Sequence, residues 1–104
     1  MQIQFTARRF DASNELRTYA EQKLEKLLRF YDGVTDATIV LSKAGNGVQE
    51  RTAEISLRVV KQTLTARDTA STHEEAIDNT IERLRRQLMR YKAKLRSTSR
   101  YAYR

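Results

Sequence analysis

Apolar and polar side chains alternate over residues 2–7, with Ile3, Phe5 and Ala7 on one side and Gln2, Gln4 and Thr6 on the other. A period of two is that of a strand with one buried and one wet face. The period then changes. After Asp11-Ala12-Ser13-Asn14, apolar residues recur every three or four positions, at Leu16, Ala20, Leu24, Leu27, Leu28 and Tyr31. That spacing predicts a helix of about five turns with one apolar stripe. Ser13 is the expected N-cap, because its hydroxyl can accept from the unpaired amides of the first turn, and Gly33 is the expected stop.

Three more strands fit the next stretch. The first covers residues 35–42, with Ala37, Ile39 and Leu41 facing inward, and Gly45-Asn46-Gly47 supplies turn chemistry after it. Between residues 51 and 60 the alternation is cleanest, Ala53, Ile55, Leu57 and Val59 against Thr52, Glu54, Ser56 and Arg58, so one face of the sheet is wet. A reversal at Lys61-Gln62 brings residues 63–68 back, with Leu64 and Ala66 inward; without Gly or Asn this turn fixes the register only loosely. Thr72-His73-Glu74-Glu75 reads as a capping box, Thr72 answering Glu75.

A last helix follows over residues 73–96, its seam formed by Ile77, Ile81, Leu84, Leu88, Tyr91 and Leu95. A short coiled coil would share this seam, but the preceding strands need a cover for their apolar face. The expected fold is therefore α+β, in the order β-α-β-β-β-α: a four-stranded mixed sheet with two helices packed on one face. The first helix is the crossover between two parallel strands. Residues 1–96 form the expected domain and 97–104 a short basic, mobile tail.

Composition narrows the function classes. At 104 residues the chain has the size of one domain. It contains no Cys, which excludes disulfides and thiolate metal sites. No apolar run reaches the ~18 residues needed to span a bilayer, and the N-terminus lacks signal-peptide regions; a cytoplasmic protein with no membrane partner is expected.

Charge is unevenly distributed. Between Arg83 and Arg104 stand nine cations and no carboxylate, whereas the first 82 residues hold 11 cations and all 13 acids, a net of −2. A near-neutral body with one cationic segment creates a directed field that attracts a polyanion. On a helix turning ~100° per residue, Arg83, Arg86, Arg90 and Lys94 share one flank of the seam, while Arg85, Lys92 and Arg96 share the other. The exposed surface is then expected to be wholly cationic. Such crowding destabilises a helix by a few tenths of a kcal/mol per i,i+4 pair, a cost that an anionic partner would recover. Guanidinium outnumbers ammonium seven to two in this segment, which suits bidentate contacts to phosphate oxygens. Lys23, Lys26 and Arg29 on the first helix offer a second rim.

No Arg or Asn set stands ready to read a major groove, and no aromatic pair decorates the open sheet face. What remains is recognition of the shape and backbone of a structured RNA. Tyr101 and Tyr103, alternating with Arg100 and Arg104, can stack on bases or form a plain disordered end.

Residues 66–94, ARDTASTHEEAIDNTIERLRRQLMRYKAK, resemble the signature of the ribosome hibernation promoting factors, also called ribosome-associated inhibitor proteins. The likeness rests on Ala76-Ile77-Asp78, on the run Arg83-Leu84-x-Arg86-Gln87-Leu88-x-Arg90-x-Lys92-x-Lys94, and on Lys23, Lys26 and Leu27 in the first helix. It covers roughly residues 1–96. The sequence departs from the family where a Met-Tyr pair usually precedes the final helix, here His73-Glu74, and in the added charge of Arg85 and Arg58.

The resemblance implies docking on rRNA of the small ribosomal subunit near the decoding centre. There the protein would cover the path of mRNA and tRNA and silence idle whole ribosomes in starvation or stationary phase. Long members of the family carry a further C-terminal domain that pairs two ribosomes, and this chain reads as a short member. Pairing with a helper protein and keeping ribosomes single both occur within the family, and these residues do not choose between them.

Catalysis is not expected. The single His73 sits at a helix start, where solvent exposure or the helix dipole accounts for it, and no Ser or carboxylate has motif spacing to it. Asp68 and Asp78 read as strand-end and helix-surface residues, and no Gly-rich phosphate loop exists. No metal, cofactor or small-molecule substrate is implied. Two other readings stay open, a generic double-stranded RNA-binding or regulatory nucleic-acid module and a helix-mediated protein adaptor.

Overall fold

The computed structural model describes residues 2–29, 31, 33–43 and 50–95, and the backbone of the last helix onward to Ala102. The elements are β1 (Gln2–Arg8), α1 (Asn14–Leu28), β2 (Asp36–Lys43), β3 (Arg51–Val59), β4 (Gln62–Ala70) and α2 (His73–Ala102). Spatial order follows chain order, β1-β2-β3-β4. β1 and β2 are parallel, joined through α1, and the other pairs are antiparallel. This is the expected mixed sheet.

Alternation dictates which face is covered. One row across the sheet reads Phe5, Ile39, Ile55, Ala66 and the next Ile3, Ala37, Leu57, Leu64. These residues merge into one core with Leu16, Ala20, Leu24 and Leu27 of α1 and Ile77, Leu84 and Leu88 of α2. Both helices therefore lie on the same face. The opposite face carries Gln4, Thr38, Ser56 and Thr65 in one row, none of them buried. Thr80 is a polar residue inside the α2 seam; its hydroxyl donates to Ala76 O at 2.7 Å and lies 3.3 Å from Ala53 O of β3, so its burial leaves no unmet donor.

Both N-caps form as their residues dictate. Ser13 Oγ accepts from Leu16 N at 3.1 Å and Thr72 Oγ1 from Glu75 N at 3.1 Å. Glu75 does not complete the box; its carboxylate accepts from Ser71 Oγ at 3.4 Å. α1 is shorter than its apolar spacing predicts, ending at Leu28 with Arg29 as C-cap. Tyr31 keeps its apolar role from the loop, edge-on to Tyr91 with ring centroids 5.8 Å apart. A Cβ on Gly33 would collide with the Tyr31 ring, so this glycine accommodates an aromatic packing contact beyond the helix end.

The β3–β4 reversal is a two-residue loop, Val59 pairing with Gln62, and Lys61 supplies the left-handed residue at φ 69°. α2 continues past the expected stop at Arg96 to Ala102, so the proposed boundary between domain and tail falls inside a helix with neither Pro nor Gly to end it. The expected turn at Gly45-Asn46-Gly47 and the side chains of 96–104, including Arg96, Arg100, Tyr101, Tyr103 and Arg104, lie outside the described residues.

His73 departs from expectation. It is 8% exposed, its ring stacked on Phe10 with centroids 4.4 Å apart and its Nε2 2.9 Å from Ser42 O. A carbonyl only accepts, so Nε2 carries the proton. The imidazole is a structural bolt between the start of α2, the end of β2 and the loop after β1.

Candidate nucleic-acid interface

α2 lies over β3 and β4 and against α1, so its two polar flanks face different neighbours. On the β4 side, Arg83, Arg86, Gln87 and Arg90 line a groove against the outer edge of the sheet, bordered by Thr65, Ala66 and Arg67 of β4; Arg67 belongs to the open face of the sheet, opposite Glu54 of β3. Gln87 Nε2 donates to Thr65 O at 3.0 Å, tying helix to strand across this groove. Lys94 stands one turn further on, beside Val60, Lys61, Gln62, Tyr91 and Leu95, where Tyr91 donates to Val60 O at 3.1 Å.

Carboxylates that look remote in sequence are close in space. Asp68 accepts from Asn79 Nδ2 at 2.9 Å and from Arg83 at 3.3 Å. Glu82, one position before the acid-free segment, takes Arg85 in two bonds of 2.7 and 3.0 Å and lies 3.5 Å from Arg86 Nε. The two arginines hold the Glu82 carboxyl below its ordinary range, chiefly through the Arg85 hydrogen bond. The exposed surface of α2 is therefore not wholly cationic. Glu82 and the exposed Met89 interrupt it, and Arg85, bound to Glu82, offers fewer donors than its place in the sequence suggested.

The α1 rim forms in part. Lys23 approaches Asp78 of α2 at 3.7 Å and lies 5.5 Å from the Tyr19 ring, while Lys26 and Arg29 are exposed. Lys92 is half-buried on the flank of α2 that faces α1. Of the nine cations proposed from sequence, the structure gathers Arg83, Arg86 and Arg90 in one groove and sets Lys94 next to it. Lys23 and Arg85 are engaged by carboxylates. Strand alternation assigns Arg67 to the wet face, where it stands, and sequence reading missed that it also borders this groove from the edge strand. Its signal was topological: the last strand of a meander is an edge, and the helix that follows must fold back over it.

Tyr19 donates to Asp78 Oδ1 at 2.7 Å, and this bond, with some desolvation and the negative charge of Asp78, pushes the phenol from 10.0 up to about 12. The folded protein thus keeps a proton that the unfolded chain loses near pH 10. The stabilisation is complete below that pH and is lost as pH rises toward 12. In an ultraviolet titration, Tyr19 is expected to ionise near pH 12, and Tyr19→Phe to remove that late step.

Among the described residues, no group of three or more His, Cys, Asp or Glu is placed to hold a metal ion, and no helix is long and apolar enough to cross a membrane.

Comparison with known proteins adds to this geometry. The family described as Sigma 54 modulation protein / S30EA ribosomal protein matches residues 3–96. A ribosome hibernation promotion factor of Deinococcus radiodurans is 31% identical over an alignment of 97 residues that covers 90% of this chain and 51% of that protein. The chain thus spans about half the length of this curated relative. Among solved structures, a ribosomal subunit interface protein from Coxiella burnetii superimposes with a TM-score of 0.80 at 25% identity, covering 89% of this chain and 99% of its own. The N-terminal domain of Protein Y from Thermus thermophilus gives 0.75 at 30% identity, covering 88% and 99%.

Proposed function

Because the chain belongs to the Sigma 54 modulation protein / S30EA ribosomal protein family, we propose that it is a cytoplasmic ribosome-hibernation factor whose basic helical surface docks on rRNA of the small subunit. Docking near the decoding centre blocks mRNA and tRNA from idle ribosomes. Residues 1–96 are the part assigned to this contact. Arg83, Arg86, Arg90 and Lys94 form its main line and Lys23, Lys26 and Arg29 its α1 rim, with Lys92 and Arg85 between the helices. The observation that carries this reading is the arginine row on α2, held rigid by a seam whose Leu84 and Leu88 are fully buried. Names of relatives that refer to ribosome hibernation and to the subunit interface support the target.

Binding to isolated small subunits tests it. One copy is expected to saturate each subunit, to compete with mRNA or tRNA, and to weaken steeply with salt, since each phosphate contact contributes about 0.7–0.9 to the slope of log K against log salt. Comparable binding to long duplex RNA would favour the generic module. Binding that survives about 0.5 M salt would favour a protein adaptor.

Glu82 provides a gain-of-function check. Glu82→Gln removes the carboxylate that engages Arg85 and Arg86, and is expected to tighten docking about three- to eightfold at 0.1 M salt, up to one additional phosphate contact. Fluorescence anisotropy on small subunits measures it.

A further inference from the structure

The tip of the β3–β4 hairpin is built against the usual chemistry of turns. A left-handed position in a two-residue loop takes Gly or Asn at least cost, yet Lys61 occupies it at φ 69° and the β-branched Val60 precedes it. Val60 is also 60% exposed, one of two large apolar side chains left so open among the described residues. Neither choice serves the fold. Both residues line a cavity of about 400 Å³ between the hairpin tip and α2, completed by Gln62, Tyr91, Lys94 and Leu95. The Tyr91 hydroxyl fastens tip to helix by donating to Val60 O at 3.1 Å, so the cavity is preset. Leu95 is half-buried, Lys61 and Lys94 are exposed, and no carboxylate lines the space. Lys94 follows Arg86 and Arg90 at intervals of four, so the cavity lies at the end of the cationic row.

We propose that this cavity takes one unstacked base of small-subunit rRNA, with Val60 and Leu95 against the base and Lys61 and Lys94 meeting its flanking phosphates. The inference rests on the ribosomal reading above and deepens it, adding a base to a contact otherwise made of phosphates. An apolar site rimmed by ammonium groups matches a nucleotide, which is apolar on its ring faces and anionic at its ends. Its volume is at the small end of ligand pockets, which suits a single ring system. A base within a duplex cannot enter, because its faces are stacked on its neighbours. The site therefore selects an unpaired nucleotide, which a row of cations on one convex surface does not do.

Binding of the whole chain to isolated small ribosomal subunits is measured across a salt series for the wild type, Val60→Ser and Lys61→Asn, with circular dichroism melts of each. Val60→Ser is expected to weaken binding about fourfold or more, the worth of one buried methylene, with the salt slope unchanged. Lys61→Asn is expected to lower the slope by about 0.7–0.9 and the affinity about five- to eightfold at 0.1 M salt, while melting at or above the wild type, since Asn suits the left-handed position. The chain has no Cys, so Val60→Cys carries a benzophenone at a unique site, and its photocrosslink is expected on rRNA. A crosslink to ribosomal protein alone would overturn the nucleotide assignment, as would wild-type affinity for Val60→Ser, and either would leave the ribosomal reading standing. No salt-dependent binding by the wild type would overturn both.

Discussion

Replacing Arg86, Arg90 and Lys94 together by glutamate is expected to lower affinity for small ribosomal subunits about 500-fold in 0.1 M salt and to flatten the salt slope by almost three. The magnitude follows from about 0.9 decades per phosphate contact between 0.1 and 1 M salt, taken three times; reversal of sign adds repulsion beyond that. The fold should tolerate the change. Arg86, Arg90 and Lys94 are all exposed. The main new cost is a carboxylate at position 86 facing Glu82 one turn away, a few tenths of a kcal/mol, where an attractive pair now stands. Co-sedimentation and a thermal melt together decide it. A variant that melts like the wild type yet still sediments normally with small subunits would remove this surface from consideration.

Leu84→Ala is expected to cost about 2–5 kcal/mol of stability, because it deletes a fully buried side chain from the middle of the α2 seam and leaves a cavity against the sheet. For a domain of this size each kcal/mol corresponds to about 4–8 °C in Tm, so a fall of about 10 °C or more is expected. Urea denaturation monitored by circular dichroism measures the loss. The substitution changes no charge, so the fraction that remains folded should bind with an unaltered salt slope. That separates the seam, which makes the rod rigid, from the guanidinium groups, which make it adhesive.

Much of this architecture was legible because each strand shows a wet and a buried face. Alternation in residues 2–7 and 51–60 identified strand faces that pairing then aligned in register. The 77-81-84-88-91-95 seam likewise identified the buried stripe of α2. The length of α1 was overestimated because Tyr31 keeps an apolar rhythm without being helical; periodicity records which residues meet the core, not the backbone conformation that brings them there. His73 was misread for a related reason. Its burial depends on Phe10 and Ser42, more than 30 residues upstream, and no local pattern in the sequence records that meeting.

The candidate site was legible in charge but not in neutralisation. A run of nine cations without an acid is a linear fact, whereas Asp68 beneath Arg83 and Asp78 beside Lys23 are products of folding. Glu82 lay just outside the boundary that defined the run, and helical geometry alone brings it against Arg85 and Arg86. That Arg67 borders the groove was missed for the converse reason: the groove exists only because α2 folds over the edge strand, and strand alternation carries no information about that.

The outer side of β4 is one of the two places where the sheet ends, and a sheet ending with bare backbone groups is a template on which a second molecule can grow. Here that border is obstructed. Gln87 already occupies the Thr65 carbonyl, and a second copy arriving strand to strand would bring Arg67, Arg83, Arg86 and Arg90 against their own duplicates. Mutual repulsion among them opposes self-association along this margin for as long as no polyanion covers them.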